Sequence, residues 1–475
     1  MNRRELQNIA LYMIPFGVKN ILPLITLPIF THYISAGDFG LYALCVFFGT
    51  ICSGLINLGL PSVFERTFFE IDYENRKDLL WTTQLSVLSI FLITAIVTHF
   101  FSQSIASVFF NNESLSKFLL LGLVYVTIRS LNFYFLLYFK NDENVKNYTI
   151  VTLIESTLSI SLSLILVVFY TKGIRGFILG QCLGVGITFI SIFLYLFFPY
   201  INHFDIDLLK KQLRLSLPLT PRTFFGVINT QFDRYMLNLL SSLGGVGIYD
   251  ISQKLANTSF MFLTAISNIF SPNVFKKFFS NSMEERNSVG KYLTPFFYLY
   301  IFFPLFVGIF SYEILVILTS ESFHKGAPIV SLLSILYAFY FFGKQPQLLH
   351  AKKTGLISII TLMSIIMNIG FNIPLIHYYG IYGAAIATTL SGIITNLISI
   401  YYSQKHTPIF WERKVYVLMS FLIISILMVI ALNHYNIAYK SLLFVKLILI
   451  TIYIGLGIKY NYLSLNKIKD KFKTQ

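Results

Sequence analysis

Stretches of twenty or more mostly apolar residues, separated by short polar breaks, follow one another along the whole 475-residue chain. Each is long enough to cross a hydrocarbon core of ~30 Å as a helix, which takes ~20 residues. Fourteen such stretches can be marked, at about 9–33, 39–62, 79–101, 115–138, 147–170, 176–200, 215–240, 248–273, 292–318, 324–350, 354–378, 381–403, 412–434 and 439–461. Only the breaks at 63–78 and 201–214, the break at 274–291 and the 462–475 tail exceed about ten residues. The pattern predicts an all-α integral membrane protein of about fourteen transmembrane helices.

Composition narrows the function classes. Hydrophobic residues make up 55% of the chain and charged residues 12%, the latter about half the ~25% usual for soluble domains. A soluble surface cannot be covered from so few polar residues. This excludes a cytosolic enzyme, a nucleic-acid binder and a secreted disulfide scaffold, and leaves no room for a separate soluble domain. Cys45, Cys52 and Cys182 all lie in apolar runs without a CxxC spacing, so they read as small buried hydrophobes. The basic start, Arg3-Arg4, leads into a long stretch holding Pro15, Pro23 and Pro28 with no small-residue cleavage site. It is expected to be a retained first helix.

The net charge of +15 takes its meaning from where the cations lie. Alternate breaks, counted from the N-terminus, hold 24 Lys and Arg, and the others hold 5. By the positive-inside rule both termini lie in the cytoplasm. Much of the net charge then reflects topology and contact with anionic lipid.

The chain also repeats itself at an offset near 207. Gly40-Leu-Tyr42 recurs as Gly247-Ile-Tyr249, and Gly173-Ile-Arg-Gly176 as Gly380-Ile-Tyr-Gly383. Pro61-Ser-Val-Phe64 recurs as Pro272-Asn-Val-Phe275. Phe16-Gly-Val-Lys-Asn20 recurs faintly as Phe225-Gly-Val-Ile-Asn229. Helices 1–6 thus match 7–12, and six being even, both sets enter the membrane from the same side. The expected organisation is a six-helix bundle over 1–200, a cytoplasmic linker at 201–214, a second bundle over 215–403, and two added helices with a basic tail over 404–475. Two such bundles rocking about a central site are the plan of many transporters.

Charges inside the spans mark the candidate chemistry, because each costs at least ~2.5–3.5 kcal/mol at mid-bilayer unless paired or hydrated. The bases are Lys19, Arg129, Arg222, Arg234, Lys254, Lys344 and Lys446, and the acids include Glu155, Asp233 and Asp250. Lys446, Lys344 and Arg222 lie near helix ends and could snorkel. Arg129 and Glu155 lie at matching depth and are expected to form a structural ion pair. Lys19 has no acid nearby in sequence, so it should face water or an anion. Asp250 and Lys254 are four apart on one helix face. Asp233, Arg234, Asp250 and Lys254 are expected at similar depth, either as an ion network holding helix 7 against helix 8 or as part of a cavity lining. Lys19, Arg222, Arg234 and Lys254 against Asp233 and Asp250 leave a basic interior, suited to anions and to phosphate. A cavity for cationic drugs would instead be led by Asp and Glu. The chain has no HExxH, GxSxG or Walker sequence, and its eight His are too scattered for a metal site, so no cofactor or metal is expected.

At Gly40-Leu-Tyr42 with Gly59-Leu-Pro61, at Leu215-Ser-Leu-Pro218 through Asp233-Arg234, and at Gly247-Ile-Tyr249 through Lys254, the sequence resembles the polysaccharide exporters of the multidrug/oligosaccharidyl-lipid/polysaccharide (MOP) superfamily, the Wzx-type flippases of O-antigen and capsule assembly. Length and the 6+6+2 layout are also similar. The resemblance implies a V-shaped helical bundle in the bacterial inner membrane that is not an enzyme. It also implies export of an undecaprenyl-pyrophosphate-linked oligosaccharide to the outer leaflet. Lys19, Arg222, Arg234 and Lys254 would line the cavity. Asp233, Asp250 or Glu155 could couple transport to H+ or Na+. The implied partners are the lipid-linked oligosaccharide, the bilayer and other polysaccharide-assembly proteins, with no nucleic acid. The alternatives are a cation/drug antiporter of the same fold and a multispan glycan polymerase or acyltransferase. The last would need a catalytic acid or His on a sizeable outer loop.

Overall fold

The computed structural model describes residues 3–197, 203–280, 282–343, 346–435 and 437–462. Among them the regular structure is helical, with no strand. The first run comprises α1 (Arg3–Tyr33), α2 (Ala36–Asn57), α3 (Leu60–Glu70), α4 (Arg76–Phe100), α5 (Ser102–Phe110) and α6 (Ser116–Asn141). It continues with α7 (Val145–Leu164), α8 (Gly173–Phe197), α9 (Ile206–Ser216) and α10 (Thr220–Leu240). Then come α11 (Leu243–Phe278), α12 (Met283–Asn287), α13 (Val289–Ile309), α14 (Ser311–Leu318) and α15 (Ala327–Gly343). The last are α16 (Gln347–His350), α17 (Thr354–His406), α18 (Arg413–His434) and α19 (Tyr439–Lys459).

Ten helical stretches among the described residues are long and apolar enough to cross a membrane. One of them, Gly355–His406, has 52 residues, or ~78 Å of straight helix at ~1.5 Å per residue. Its backbone breaks at Gly380 (φ 56°, ψ −130°), between the stretches expected at 354–378 and 381–403. Of the other expected stretches, 9–33, 215–240 and 248–273 fall in the helices α1, α10 and α11.

The chain divides into two compact units, Met1–Ile248 with Leu318–Ser322, and Tyr249–Ile317 with Phe323–Gln475. This boundary follows packing, and it differs from the repeat boundary expected from sequence. Helix α10 packs on α2 and so belongs with the first unit. The 201–214 stretch is more than a tether: Asp205 caps α9 by accepting from the Asp207 and Leu208 amides at 2.9 Å each. The buried Gln212 then accepts from Thr83 Oγ1 at 3.3 Å, fastening α9 to α4.

In the first unit, α1 and α8 pack on α7, and α6 lies against α2, α4 and α8. The prolines of α1 remove backbone donors within the helix, and two of its threonines turn their hydroxyls back onto carbonyls of the same helix. Thr26 donates to the Leu22 carbonyl at 3.0 Å and Thr31 to that of Pro28 at 3.3 Å. Helices α7 and α8 meet along a seam of small residues. A β-carbon at Gly180 would strike Ser163, and one at Gly184 would strike Ser159, so this close approach tolerates glycine only. The duplicated glycines have the same role where α2 crosses the start of α11. A β-carbon at Gly40 would meet the Leu243 carbonyl, and one at Gly247 the Ala36 carbonyl.

The second unit has a core of α13, α15 and α18 around Phe297, Tyr300, Phe341, Leu418 and Leu422. Tyr300 donates to the Tyr337 carbonyl at 2.6 Å. The last helix, α19, is joined to this core by Tyr453, which stacks on Tyr298 and donates to its carbonyl. It is also joined by Lys446. Lys446, near a helix end from which it could snorkel, is instead buried completely, with Nζ 2.8 Å from both carboxylate oxygens of Glu313. The partner is 133 residues away in sequence, which is why no helix-face argument could supply it. Cys45 and Cys52 are buried thiols; Cys182, half-buried, faces the Leu121 carbonyl at 3.6 Å.

Candidate functional site

Helix α2 ends at Asn57, and the chain turns through two left-handed residues, Leu58 (φ 45°) and Gly59 (φ 72°), before α3 begins at Leu60 with Pro61 in its first turn. The break leaves an opening beside α1, α6 and α7. Here the first unit holds a cavity of about 390 Å³, lined by charged Lys19, Arg129 and Glu155 and by polar Ser53, Asn57 and Ser130, among others.

Asn57 fixes the polar wall. Its amide nitrogen donates to the Ser53 carbonyl at 2.7 Å and to Ser53 Oγ at 2.9 Å. Its oxygen accepts from Ser130 Oγ and from the buried Tyr134 Oη, both at 2.9 Å. These bonds tie the end of α2 to α6.

The charges sit on three helices. Lys19 comes from α1 between Pro15 and Pro23, and has no hydrogen bond or ion pair among the described residues. Arg129 comes from α6, and its Nη1 donates to Tyr125 Oη at 3.2 Å, one turn back. Its guanidinium also lies 6.0 Å from the Tyr125 ring centroid. Arg129 otherwise remains exposed to the cavity it lines. Glu155 comes from α7, and its Oε2 accepts from Asn132 Nδ2 at 2.8 Å. Asn132 also donates to the Val185 carbonyl at 3.1 Å, so one buried amide joins α6, α7 and α8.

The expected Arg129–Glu155 ion pair is therefore not formed. The two residues share a cavity and feel each other's charge, but each is held by a neutral neighbour. A carboxylate satisfied by an amide and a guanidinium satisfied by a phenol keep both charges available to the cavity instead of neutralising one another. Asn132 was not legible in the sequence, because asparagine in an apolar helix carries no spacing signature.

The other expected residues lie elsewhere. Asp233 is buried in α10, and Arg234 beside it donates to the Thr230 carbonyl at 3.3 Å. Neither lines the cavity. In the second unit Lys254 Nζ lies 2.6 Å from the buried Asp250 Oδ2, one turn away on α11. The expected i, i+4 pair is thus present, and it occupies a lysine expected to meet substrate. The side chain of Arg222 and the whole of Lys344 lie outside the described residues.

Comparison with known proteins gives this arrangement a family. Residues 6–274 match the model of the family described as "Polysaccharide biosynthesis protein". The chain belongs to that family. All three cavity charges, Lys19, Arg129 and Glu155, fall inside the matched region. The chain is also 27% identical over 191 residues to the probable low-salt glycan biosynthesis flippase Agl15 of Haloferax volcanii. That match covers 39% of this chain and 40% of the relative. Among solved structures, the lipid II flippase MurJ in an inward closed conformation aligns over 95% of this family member and 99% of MurJ. Its TM-score is 0.73 at 20% identity. An inward-facing multidrug-resistance MATE family transporter of the MOP superfamily aligns over 87% and 99%, with TM-score 0.59 and 15% identity. The fold is thus shared with MurJ and with this MATE transporter.

Proposed function

We propose that this protein moves a lipid-linked glycan across the membrane during surface polysaccharide assembly, and that the carried species is an undecaprenyl-pyrophosphate-linked oligosaccharide passing from the inner to the outer leaflet. The observation that carries the reading is the charge of the cavity: Lys19 and Arg129 against Glu155 alone. Two cations facing one carboxylate in an apolar unit attract an anion and repel a cationic drug. A pyrophosphate supplies the anion, and Arg129 keeps guanidinium donors for it beyond the one spent on Tyr125.

The glycan and pyrophosphate would pass through hydrated polar surface while the prenyl tail stays in the bilayer. With both termini in the cytoplasm of a bacterial inner membrane, a potential negative inside favours outward movement of the anion by ~2.3 kcal/mol per charge per 100 mV. Asp233, Asp250 and Glu155 are the acids through which H+ or Na+ could add to that drive.

The test is the pool of lipid-linked glycans in cells depleted of the protein. The expected result is a complete oligosaccharide-lipid that accumulates and is shielded from a glycosidase added to spheroplasts. Unchanged pools together with accumulation of cationic dyes would replace this reading with a cation antiporter of the same fold.

A further inference from the structure

The cavity holds more than charge. Phe133 lies one turn after Arg129 on the same face of α6 and lines the cavity with it. It is 47% exposed, and its ring meets no other ring among the described residues. The neighbouring Phe135, by contrast, is fully buried against Phe189 and Phe197. Phosphate recognition needs no aromatic plane. A pyranose can use one, because one of its faces presents C–H groups that settle on the electron-rich face of a ring.

The hydrogen-bonding groups around Phe133 complete the pattern. Glu155 spends Oε2 on Asn132, while Oε1 makes no hydrogen bond among the described residues. Ser130 donates its hydroxyl proton to Asn57, so its oxygen lone pairs are left to accept. Arg129 retains donors. A carboxylate oxygen and a hydroxyl oxygen that accept, beside a planar donor and a ring, match vicinal sugar hydroxyls that both donate and accept. A volume of about 390 Å³ lies at the lower end of small-molecule pockets, the scale of one or two sugar rings.

We propose that this cavity is a sugar subsite, in which Phe133 stacks on a pyranose of the glycan while Glu155, Ser130 and Arg129 bind its hydroxyls, so that these residues set which glycan is accepted. The proposal rests on the lipid-linked reading above and assigns Phe133 a specificity role separate from neutralising the pyrophosphate.

The full-length protein in lipid nanodiscs is titrated with two kinds of probe. One is heptaprenyl pyrophosphate without sugar; the other is the same carrier bearing one hexose or N-acetylhexosamine, taken from a panel. The unaltered protein is expected to bind at least one glycosylated carrier roughly five- to tenfold more tightly than the bare one, a gain in keeping with a stacking contact. Phe133→Leu should abolish that preference, Phe133→Trp should retain it, and both should leave binding of the bare carrier within about twofold. Glu155→Gln should also reduce the preference. Loss of bare-carrier binding in parallel with the glycosylated carrier would overturn the proposal, since the ring would then be structural. So would a Phe133→Leu protein with the preference intact, or an unaltered protein that prefers no sugar in the panel. An unaltered protein that binds no carrier at all would instead overturn the lipid-linked reading, and the subsite with it.

Discussion

Single side chains decide what the cavity in the first unit can hold. Lys19 has no protein partner among the described residues, so its charge is expressed toward whatever enters. Substituting Lys19→Gln or Arg129→Ala should lower lipid-linked glycan movement at least tenfold, as expected when a hydrogen bond to a charged group worth about 1.5–3 kcal/mol is lost. Fluorescence dequenching of a labelled carrier in proteoliposomes measures this, with protein level and melting temperature unchanged. Asn132→Leu should act otherwise. It strands the Glu155 carboxylate and cuts the link to α8, so stability should fall by about 1–3 kcal/mol, read as a lower melting temperature in detergent. Lys19 was legible from its position between two prolines in an apolar run. Asn132 and Phe133 were not, because their roles come from neighbours on other helices.

At the scale of the element, close contacts and one buried ion pair hold the helices. Gly40 and Gly247 allow α2 and the start of α11 to approach through their backbones. Gly247→Val should force them apart and cost about 1–3 kcal/mol, the usual penalty of overpacking. A thermal shift beside that of Gly244→Val, where a β-carbon meets open space, isolates the effect from valine itself. The duplicated motif was visible in sequence, but its purpose needed the contact. Lys446 and Glu313 behave as a unit. Lys446→Met alone should destabilise by about 3–5 kcal/mol, because it leaves a carboxylate unpaired against apolar walls, whereas Lys446→Met with Glu313→Leu should be close to neutral. A double-mutant cycle by thermal unfolding checks this. Additive losses would mean that the two charges are solvated independently.

At the scale of the whole molecule, the distribution of cations among the polar breaks predicts the topology, and with it the drive we propose. Exposed tyrosines lie at expected outer ends of spans, Tyr378 and Tyr435, and at expected inner ends, Tyr73 and Tyr401, in keeping with aromatic belts at both interfaces. In a chain with its three native cysteines replaced by alanine, Ser280→Cys should react with an impermeant maleimide only after the membrane is opened. Ser322→Cys should react in intact spheroplasts. The reverse pattern would invert the topology and the sense of the proposed transport. Arg234→Ala should impair export with protein level retained. Full export would show that Arg234 serves the structure of α10 and not passage of the substrate.

The sequence by itself determined that this chain lives in a bilayer and that it is helical, and it predicted a basic interior from Lys19, Arg222, Arg234 and Lys254. Those properties follow from the length of apolar runs and from the cost of stranding charge in hydrocarbon, and both can be counted along one dimension. The repeat was legible for the same reason, since Gly40 and Gly247 keep their spacing in the chain. Only the tertiary structure decided which charges stand free and which are occupied. Glu155 was expected to pair with Arg129 and is held by Asn132. Lys446 had a helix-end position that allows snorkelling and is buried on Glu313. Lys254 keeps the expected helical partner, Asp250. Only i, i+4 partners are fixed by sequence spacing. Partners on other helices depend on how those helices pack, and depth along a span does not reveal whether an amide, a phenol or a carboxylate will lie across from a charge.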